Sequence, residues 1–326
     1  MSTSLGPGLA RARPALVVAA SALTLLLVVL AVRTLDLGQV RVALAEMEAV
    51  WLLPSLAALV VAFLLRALRW RALFEEGSKP ALQELARAQG IGLFFNNVLP
   101  FRAGEAARLV VLHQRTGASR LQTLGTIVVE RVYDLIALLG LLALALPWLP
   151  PAPWLRTLAL LGGVIALATL VASITLVIFG NRALRVILWP LGRLRIVSDS
   201  FRERAEMGLV AGVAGFRKLR PAVEGMSLTV ASWLAFWVCY WTLGVGFGFE
   251  VSASAALVAL VASGVGLALP SGPAAVGVFE AAVVVALLPY GIEAEEALSY
   301  ALVVHVVNFA PYIACGLLLV PRRRRD

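Results

Sequence analysis

The chain has 326 residues, of which 61% are hydrophobic and 14% charged, and its mean hydropathy is +0.91. Soluble domains carry about 25% charged residues, so this composition excludes a soluble globular protein and predicts an integral membrane protein. Lys and Arg total 28 against 19 Asp and Glu. Long apolar runs separate these basic residues, which favours positively charged cytoplasmic loops over nucleic-acid binding. Cys239 and Cys315 both lie in apolar runs and support neither a disulfide framework nor a thiolate metal site.

The first predicted element is a cytoplasmic tail, residues 1–14, followed by a single transmembrane domain over residues 15–321. A spanning helix needs about 20 mostly apolar residues, and the uncharged residues 15–32 form the first predicted span. No small-residue cleavage site follows this run, so a span is favoured over a secretory signal peptide.

The second predicted span covers residues 50–65 and ends at Arg66, Arg69 and Arg71. The positive-inside rule places these three arginines in the cytoplasm, and Trp70 near that membrane interface.

The middle of the chain alternates apolar and basic stretches. Residues 121–149 form a third apolar segment that ends in a proline-rich stretch, and residues 157–181 return across the membrane. Residues 182–222 are rich in arginine and predict a cytoplasmic segment at the membrane surface. That segment is either a solvated interfacial helix and loop or a binding site for anionic lipid headgroups.

The last predicted spans set the orientation of the C-terminal half. Residues 225–249 form a fifth apolar run, and residues 297–321 a last one that ends on a basic tail, residues 322–326. The tail predicts a cytoplasmic C-terminus, so Glu250 and the acidic residues 293–296 are external.

Between those two external flanks, residues 251–289 are apolar but broken, which predicts a re-entrant hairpin that enters and leaves on the outer face. Its breaks are Pro270, Gly272, Pro273 and Gly277.

A matching apolar stretch, residues 90–105, is too short to span and is broken at Pro100 and Gly104, with arginines at both ends. We expect it to enter from the cytoplasm. Two broken hairpins of opposite orientation are typical of inverted-repeat transporters, although the short sequence echo between them is also compatible with chance. The predicted fold is therefore an all-α polytopic membrane protein with about six full spans and two re-entrant hairpins.

Charged side chains inside these apolar segments are the candidate functional residues. Each costs about 2.5–3.5 kcal/mol at the bilayer centre unless it is paired or hydrated. Helical spacing places the first three on one face after the Pro100 break, and the next three share one span. The six are Arg102, Glu105, Arg108, Glu130, Arg131 and Asp134.

Two interpretations of these charges remain open. Glu130 and Arg131 either form a structural ion pair between helices, or arginines and carboxylates together form a gate or a headgroup site. A guanidinium binds phosphate through two parallel hydrogen bonds, which suits Arg102, Arg108 and Arg131. The carboxylates, with Glu280, would then shape the field or carry a proton.

Polar residues without charge add three candidates. Asn96 and Asn97 either cap the first re-entrant helix or contribute to the site, and capping is favoured. His305 is either an interhelical hydrogen-bond partner, which is favoured, or a proton relay. His113 is the other histidine, so no histidine cluster for zinc exists, and no nucleotide loop or nucleophile motif occurs.

Four strings, RALRWRALF, FFNNVLPFRAGEAARLVVL, TIVVERVYDLIAL and LPSGPAAVGVFEAAVV, occur in the order found in one known family. From about residue 50 to residue 320 the chain resembles the lysylphosphatidylglycerol synthase transmembrane, or flippase-like, family. Membrane domains of this family are associated with moving lipids between leaflets. Their lipids include aminoacylated phosphatidylglycerol in the multiple peptide resistance factor and polyprenyl-linked sugars in archaeal relatives.

By motif position, the resemblance implies roles for the charged and helix-breaking residues of the two re-entrant elements and of the span between them. These residues are Pro100, Arg102, Gly104, Glu105, Arg108, Glu130, Arg131, Asp134, Pro270, Pro273, Gly277 and Glu280. The chain departs from the family at Ala274-Ala275, where Gly-Gly is usual, and at His305, where an arginine is frequent. The synthases carry a soluble aminoacyl-transfer domain, which we do not expect in a chain ending at Asp326.

We therefore expect a lipid flippase or transporter rather than an enzyme, without a cofactor or a metal, that moves lipid downhill or with an ion. The expected partners are membrane lipids, either anionic phospholipids or polyprenyl phosphates, and not nucleic acid. A headgroup-modifying enzyme using Glu105 or Glu130 as a base, and an anchor for a separate synthase or glycosyltransferase, remain alternatives, and a homodimer stays open. The expected location is a bacterial inner membrane, with both termini cytoplasmic.

Overall fold

The computed structural model describes residues 37–98, 104–179, 219–248, 252–268 and 273–319, and every regular element in these ranges is helical. This confirms the predicted all-helical class for that part of the chain. The α-helices there are α1 (Leu37–Glu46), α2 (Leu52–Ala72), α3 (Leu82–Val98), α4 (Gly104–Thr116), α5 (Arg120–Leu144), α6 (Pro153–Phe179), α7 (Leu219–Gly246), α8 (Ala253–Ala268), α9 (Val278–Leu287) and α10 (Ala294–Leu319).

Within the described ranges, four helical stretches are long and apolar enough to cross a membrane. They are Ala49–Ala72, Pro153–Val171, Leu219–Gly246 and Ala294–Gly316, and each overlaps a predicted span. Helix α5 is also 25 residues long, but it carries four charged side chains. The predicted span at residues 15–32, both tails and most of the basic segment 182–222 lie outside the described residues, so the count of about six spans stays a prediction.

The outer surface of α6 is apolar. Leu160, Leu161, Val164 and Leu167 are each more than half exposed on consecutive turns of this helix. Soluble proteins rarely expose such a continuous apolar surface to water, whereas lipid tails solvate it without a penalty. The helix thus has the surface of a membrane-spanning element.

The described helices belong to two compact units of the chain. Unit 1 consists of Met1–Leu56, Gly90–Gly104 and Trp237–Asp326, and unit 2 of Ala57–Gln89 and Glu105–Phe236. Helices α2, α3 and α7 are therefore each divided between the units, and α4 begins in unit 1 with Gly104 and continues in unit 2.

Unit 2 is organised around an apolar cluster and a tight helix pair. The cluster joins α2, α3 and α4 through Trp70, Leu85 and Leu112, all of them fully buried. Helices α5 and α6 approach closely because glycine faces alanine, and a Cβ at Gly163 would lie 2.8 Å from the Cβ of Ala143. One side of α5 is thus covered by α6, and its charged side is left for α2 and α4.

Unit 1 holds α9 between α8 and α10. Gly266 of α8 lies so close to α9 that its Cβ would be 3.2 Å from the carbonyl oxygen of Val278. The hydroxyl groups of Tyr240 and Ser263, 2.8 Å apart, join α7 to α8. The Tyr300 hydroxyl donates to the Tyr240 carbonyl at 2.8 Å, which joins α10 to α7.

Each predicted hairpin contains the end of one described helix and the start of another. Helix α3 ends at Val98 and α4 begins at Gly104, and α8 ends at Ala268 and α9 begins at Val278, while residues 99–103 and 269–272 lie outside the described part of the chain. The re-entrant placement of both hairpins in a bilayer stays a prediction.

Candidate functional site

A buried charge cluster in unit 2 is centred on Glu130 of α5, whose side chain is fully buried. Arg108 of α4 donates to both of its oxygens, from Nη1 to Oε2 at 2.8 Å and from Nη2 to Oε1 at 3.2 Å. Nη2 of Arg69 in α2 lies 3.4 Å from Oε1. Bidentate pairs of this kind are roughly twice as strong as neutral hydrogen bonds, so Glu130 ties α2 and α4 to α5.

Asp134 lies one helical turn after Glu130 and faces the same way. Nη1 of Arg69 donates to its Oδ1 at 2.5 Å, and Nε1 of Trp233 in α7 donates to the same oxygen at 3.1 Å. Arg69 therefore bridges two carboxylates at once. This pairing offsets the cost, about 2.5–3.5 kcal/mol per charge, of burying ionised groups in a membrane helix.

Aromatic rings hold two arginines of unit 2 in place. The guanidinium carbon of Arg108 lies 3.7 Å from the ring centroid of Trp70, whose Nε1 donates to Thr126 at 2.9 Å. The guanidinium carbon of Arg66 lies 4.4 Å from the ring centroid of Phe236. Such cation–π contacts add about 2 kcal/mol when they are desolvated, and they fix the direction of the side chain.

Arg131 forms an exposed edge of the cluster. Its side chain is 46% exposed, and its Nε lies 3.7 Å from Oε1 of Glu105, which is itself 34% exposed. Its Nη1 lies 3.6 Å from Oδ2 of Asp134. Both distances exceed hydrogen-bond length, so charge attraction alone holds Arg131 there. The cluster thus combines a tightly bonded interior with one loosely held cation.

Arg69, at the end of α2, is buried between helices rather than exposed in a loop, and the side of the membrane on which these arginines lie stays a prediction. Arg69 is 1% exposed and Trp70, which was predicted at an interface, is 0% exposed. The physical reason is charge balance, because the two buried carboxylates of α5 need more than the single cation of Arg108. A signal was available: Arg66 and Arg69 are three residues apart and share one helix face.

Unit 1 contains a second buried acidic site, on α9 and α10. Nδ1 of His305 lies 2.5 Å from Oε1 of Glu280, and Oε2 of Glu280 accepts the N–H of Gly277 at 2.6 Å. Glu280 and His305 are 7% and 8% exposed. The imidazole centroid lies 4.7 Å from the ring of Phe279 and 4.2 Å from that of Phe309. His305 is therefore an interhelical partner of a carboxylate, held between aromatic rings.

The turn before α9 has an unusual backbone. Ala274 and Ala275 have φ angles of 55° and 56°, and Gly277 has φ 79°. The left-handed conformation costs an L-residue about 1–2 kcal/mol, whereas glycine adopts it freely. The turn starts at Pro273 and delivers the Gly277 N–H to Glu280, which caps the helix it belongs to.

The asparagines at the end of α3 have separate roles in unit 1. Asn96 Oδ1 accepts the N–H of Gly104 at 2.9 Å and so caps the start of α4. Asn97 Nδ2 donates to the carbonyl of Phe309 in α10 at 3.4 Å. A Cβ at Gly104 would lie 1.8 Å from the carbonyl oxygen of Gly92, so only glycine fits this contact.

Four predicted residues, Pro100, Arg102, Pro270 and Gly272, lie outside the described part of the chain. Within that part, no three His, Cys, Asp or Glu side chains are grouped so that they could hold a metal ion.

Comparison with known proteins places the sequence in a family. The sequence model of the lysylphosphatidylglycerol synthase TM region matches residues 17–316. The chain belongs to this family. It is also similar to a UPF0104 membrane protein of Methanothermobacter thermautotrophicus, with 26% identity over 303 residues and coverage of 86% of each chain. No solved structure matches it.

The structure shows what surrounds the two positions at which this chain differs from the pattern expected for the lysylphosphatidylglycerol synthase TM-region family. Ala274 and Ala275 stand where we expect Gly-Gly, and both adopt the left-handed backbone that glycine accepts without strain. His305 stands where an arginine is expected, and it contacts Glu280. An arginine would give that carboxylate a permanent positive partner, whereas the imidazole ring exists in a neutral and in a positively charged form.

Proposed function

We propose that the protein moves a phosphate-bearing lipid between the two leaflets of the cell membrane. The lipid is an anionic or aminoacylated phospholipid, or a polyprenyl-phosphate-linked glycan, and a lipid or ion gradient drives the movement. The chain belongs to the lysylphosphatidylglycerol synthase TM-region family, named after the membrane region of a phospholipid-modifying synthase, and this supports the proposal. The buried charge cluster on apolar helices of unit 2 also supports it.

The observation that carries the proposal is that the arginines of unit 2 differ in how tightly they are bonded. Arg69 and Arg108 are bonded to buried carboxylates, and removing either partner of such a pair costs about 3–5 kcal/mol. Arg131 is half exposed, and its contacts are longer than hydrogen bonds. Of these three described arginines, Arg131 is therefore the one that exchanges partners, and it replaces Arg108 as the proposed phosphate contact.

Exchange at Arg131 gives a physical basis for binding and release. Without lipid, Glu105 and Asp134 share its charge; with lipid, the planar guanidinium offers two parallel hydrogen bonds to a phosphate. Glu105 then competes with the phosphate for the same cation. Because one ion pair replaces another, the lipid-free and lipid-bound states have similar free energies, and the headgroup can dissociate again.

Reconstitution tests the proposal. Purified protein in vesicles should speed the movement of a fluorescent anionic phospholipid, or of a labelled polyprenyl phosphate, from the inner to the outer leaflet. The readout is the fraction of label that an impermeant quencher reaches over time, compared with protein-free vesicles. Equal rates with and without protein for both lipid classes would contradict the proposal.

Lipid analysis separates transport from the two alternatives. A strain without the protein should retain every lipid species but show an altered distribution between leaflets. A lipid species missing from its mass spectrum would instead identify a headgroup enzyme, or an anchor on which a separate synthase depends.

A further inference from the structure

The Glu280–His305 pair belongs to unit 1, and the exchange proposed at Arg131 does not use it. Both oxygens of Glu280 are engaged, Oε1 by the imidazole at 2.5 Å and Oε2 by the Gly277 N–H at 2.6 Å. With a neutral imidazole donating from Nδ1, the pair carries one negative charge. With one more proton on the imidazole, the pair is neutral.

Among the described residues of unit 1, no arginine or lysine contacts the pair. In the described part of unit 1, Arg41 of α1 is the only arginine or lysine, and its side chain is exposed, as is that of Glu46 on the same helix. Helix α8 and residues 90–98 of α3 carry no titratable side chain. The end of α7 contributes Cys239 and Tyr240, which are neutral groups.

Helix α10 itself adds carboxylates only at its first turn. Glu295 and Glu296 lie in the first turn of this helix, ten and nine positions before His305, and Tyr300, Tyr312 and Cys315 are its other titratable residues. A negative pair in these apolar surroundings is costly, and a proton is the ligand that removes the charge. Glu280 and His305 are 7% and 8% exposed, so neither side chain is completely enclosed by protein.

We infer that the Glu280–His305 pair is a proton-binding site whose loading and release drives the lipid movement. The inference rests on the proposed function, and it specifies the ion that supplies the energy. The pair takes one proton from water on one side of the membrane and returns it to water on the other side, so no net chemistry occurs. Neutralisation changes the strength of the bond between α9 and α10, which is the step that links the proton to a change in conformation.

The test measures the rate of lipid movement in vesicles with a pH gradient of about 1.5 units, divided by the rate at equal pH on both sides. For one proton per lipid, this gradient corresponds to about 2 kcal/mol, or at most about 30-fold, and the wild-type ratio should lie between about threefold and that limit in one direction of the gradient. His305→Arg, which has a permanent charge, and Glu280→Gln should both give a ratio of one. Tyr240→Phe removes another buried interhelical hydrogen bond of unit 1 and should keep the wild-type ratio.

Each outcome is decisive. A wild type that moves lipid at a rate independent of the gradient overturns the inference and leaves the proposed function intact, as does a His305→Arg variant with the wild-type ratio. A wild type that moves no lipid at all contradicts the proposed function. In that case, NMR of the imidazole carbons tests proton binding. The measurement uses the His113→Gln variant, because His305 is then the sole histidine of the chain. A His305 signal that shifts between about pH 5 and 9 supports the site, and a constant one overturns it.

Discussion

The two units bury a carboxylate in different ways. In unit 2, Glu130 is bonded to Arg108 and lies against Arg69, two groups that keep their positive charge at every relevant pH. In unit 1, Glu280 is bonded to His305 and to one backbone N–H. The first arrangement is suited to holding helices together, and the second is suited to responding to a proton. The same acidic group thus serves structure or response according to the partner it is given.

The largest effect on this comparison is expected from Glu130→Gln. Arg69 and Arg108 would remain buried without their shared carboxylate, which should lower the free energy of unfolding by about 3–5 kcal/mol. The measurement is the unfolding midpoint in a detergent-denaturant titration. Glu105→Gln is the matched control, because its partner is half exposed and its loss should cost about 1 kcal/mol or less. Equal losses would show that burial is not what separates the two acids.

Gly104→Ala tests the close backbone contact of unit 1. Its new Cβ would collide with the carbonyl oxygen of Gly92, so we expect a destabilisation of about 1–3 kcal/mol and disturbed capping by Asn96. Gly140→Ala in α5 of unit 2 meets no atom within 4 Å, and there alanine should raise helix stability slightly. The measurement is the thermal unfolding midpoint of both variants. A Gly104→Ala variant as stable as the wild type would contradict the described contact.

A smaller gain is expected from relaxing the turn before α9. Replacement of Ala274 or Ala275 by glycine removes the left-handed strain, at the cost of a more flexible unfolded chain, for a net stabilisation of about 0.5–1 kcal/mol. Ala262→Gly in the regular part of α8 should destabilise by about 1 kcal/mol instead. A loss of stability in all three variants would show that the turn is not strained.

The smallest effect is expected for the ion pair of unit 2 between Glu84, at the start of α3, and Arg115, at the end of α4. The hydrogen bond from Arg115 lowers the pKa of Glu84 below its usual value of 4.5. Because the folded-state pKa is the lower one, the stabilisation is complete above about pH 4.5 and is lost as the pH falls through the folded value. Unfolding midpoints measured from about pH 6 to 3 should therefore fall less in Glu84→Gln than in the wild type. Parallel pH profiles would contradict this assignment.

Much of the fold could be predicted from the sequence because apolar runs and helix breakers act locally. The spans at α2, α6, α7 and α10 follow from uncharged runs of sufficient length. The interruption between α8 and α9 follows from clustered proline and glycine. The shared face of Glu130 and Asp134 follows from helical spacing alone.

The pairing of side chains from different helices could not be predicted in the same way. Arg69 has the same local sequence context as an arginine in a cytoplasmic loop, and its burial depends on carboxylates more than 60 positions away. His305 meets Glu280 because α9 packs on α10, and hydropathy does not specify which faces of two apolar helices meet. The close approach of Gly104 to Gly92 is likewise a property of packing.

The most direct test of the central claim is the lipid-transfer rate of Arg131→Gln in vesicles, compared with Arg115→Gln. Both arginines are partly exposed and lie beside a carboxylate, but we propose a phosphate contact for Arg131 alone. Loss of charged hydrogen bonds worth about 1.5–3 kcal/mol should slow Arg131→Gln about 10- to 100-fold, while Arg115→Gln stays within about twofold of the wild type. Equal rates for the two variants would contradict the account.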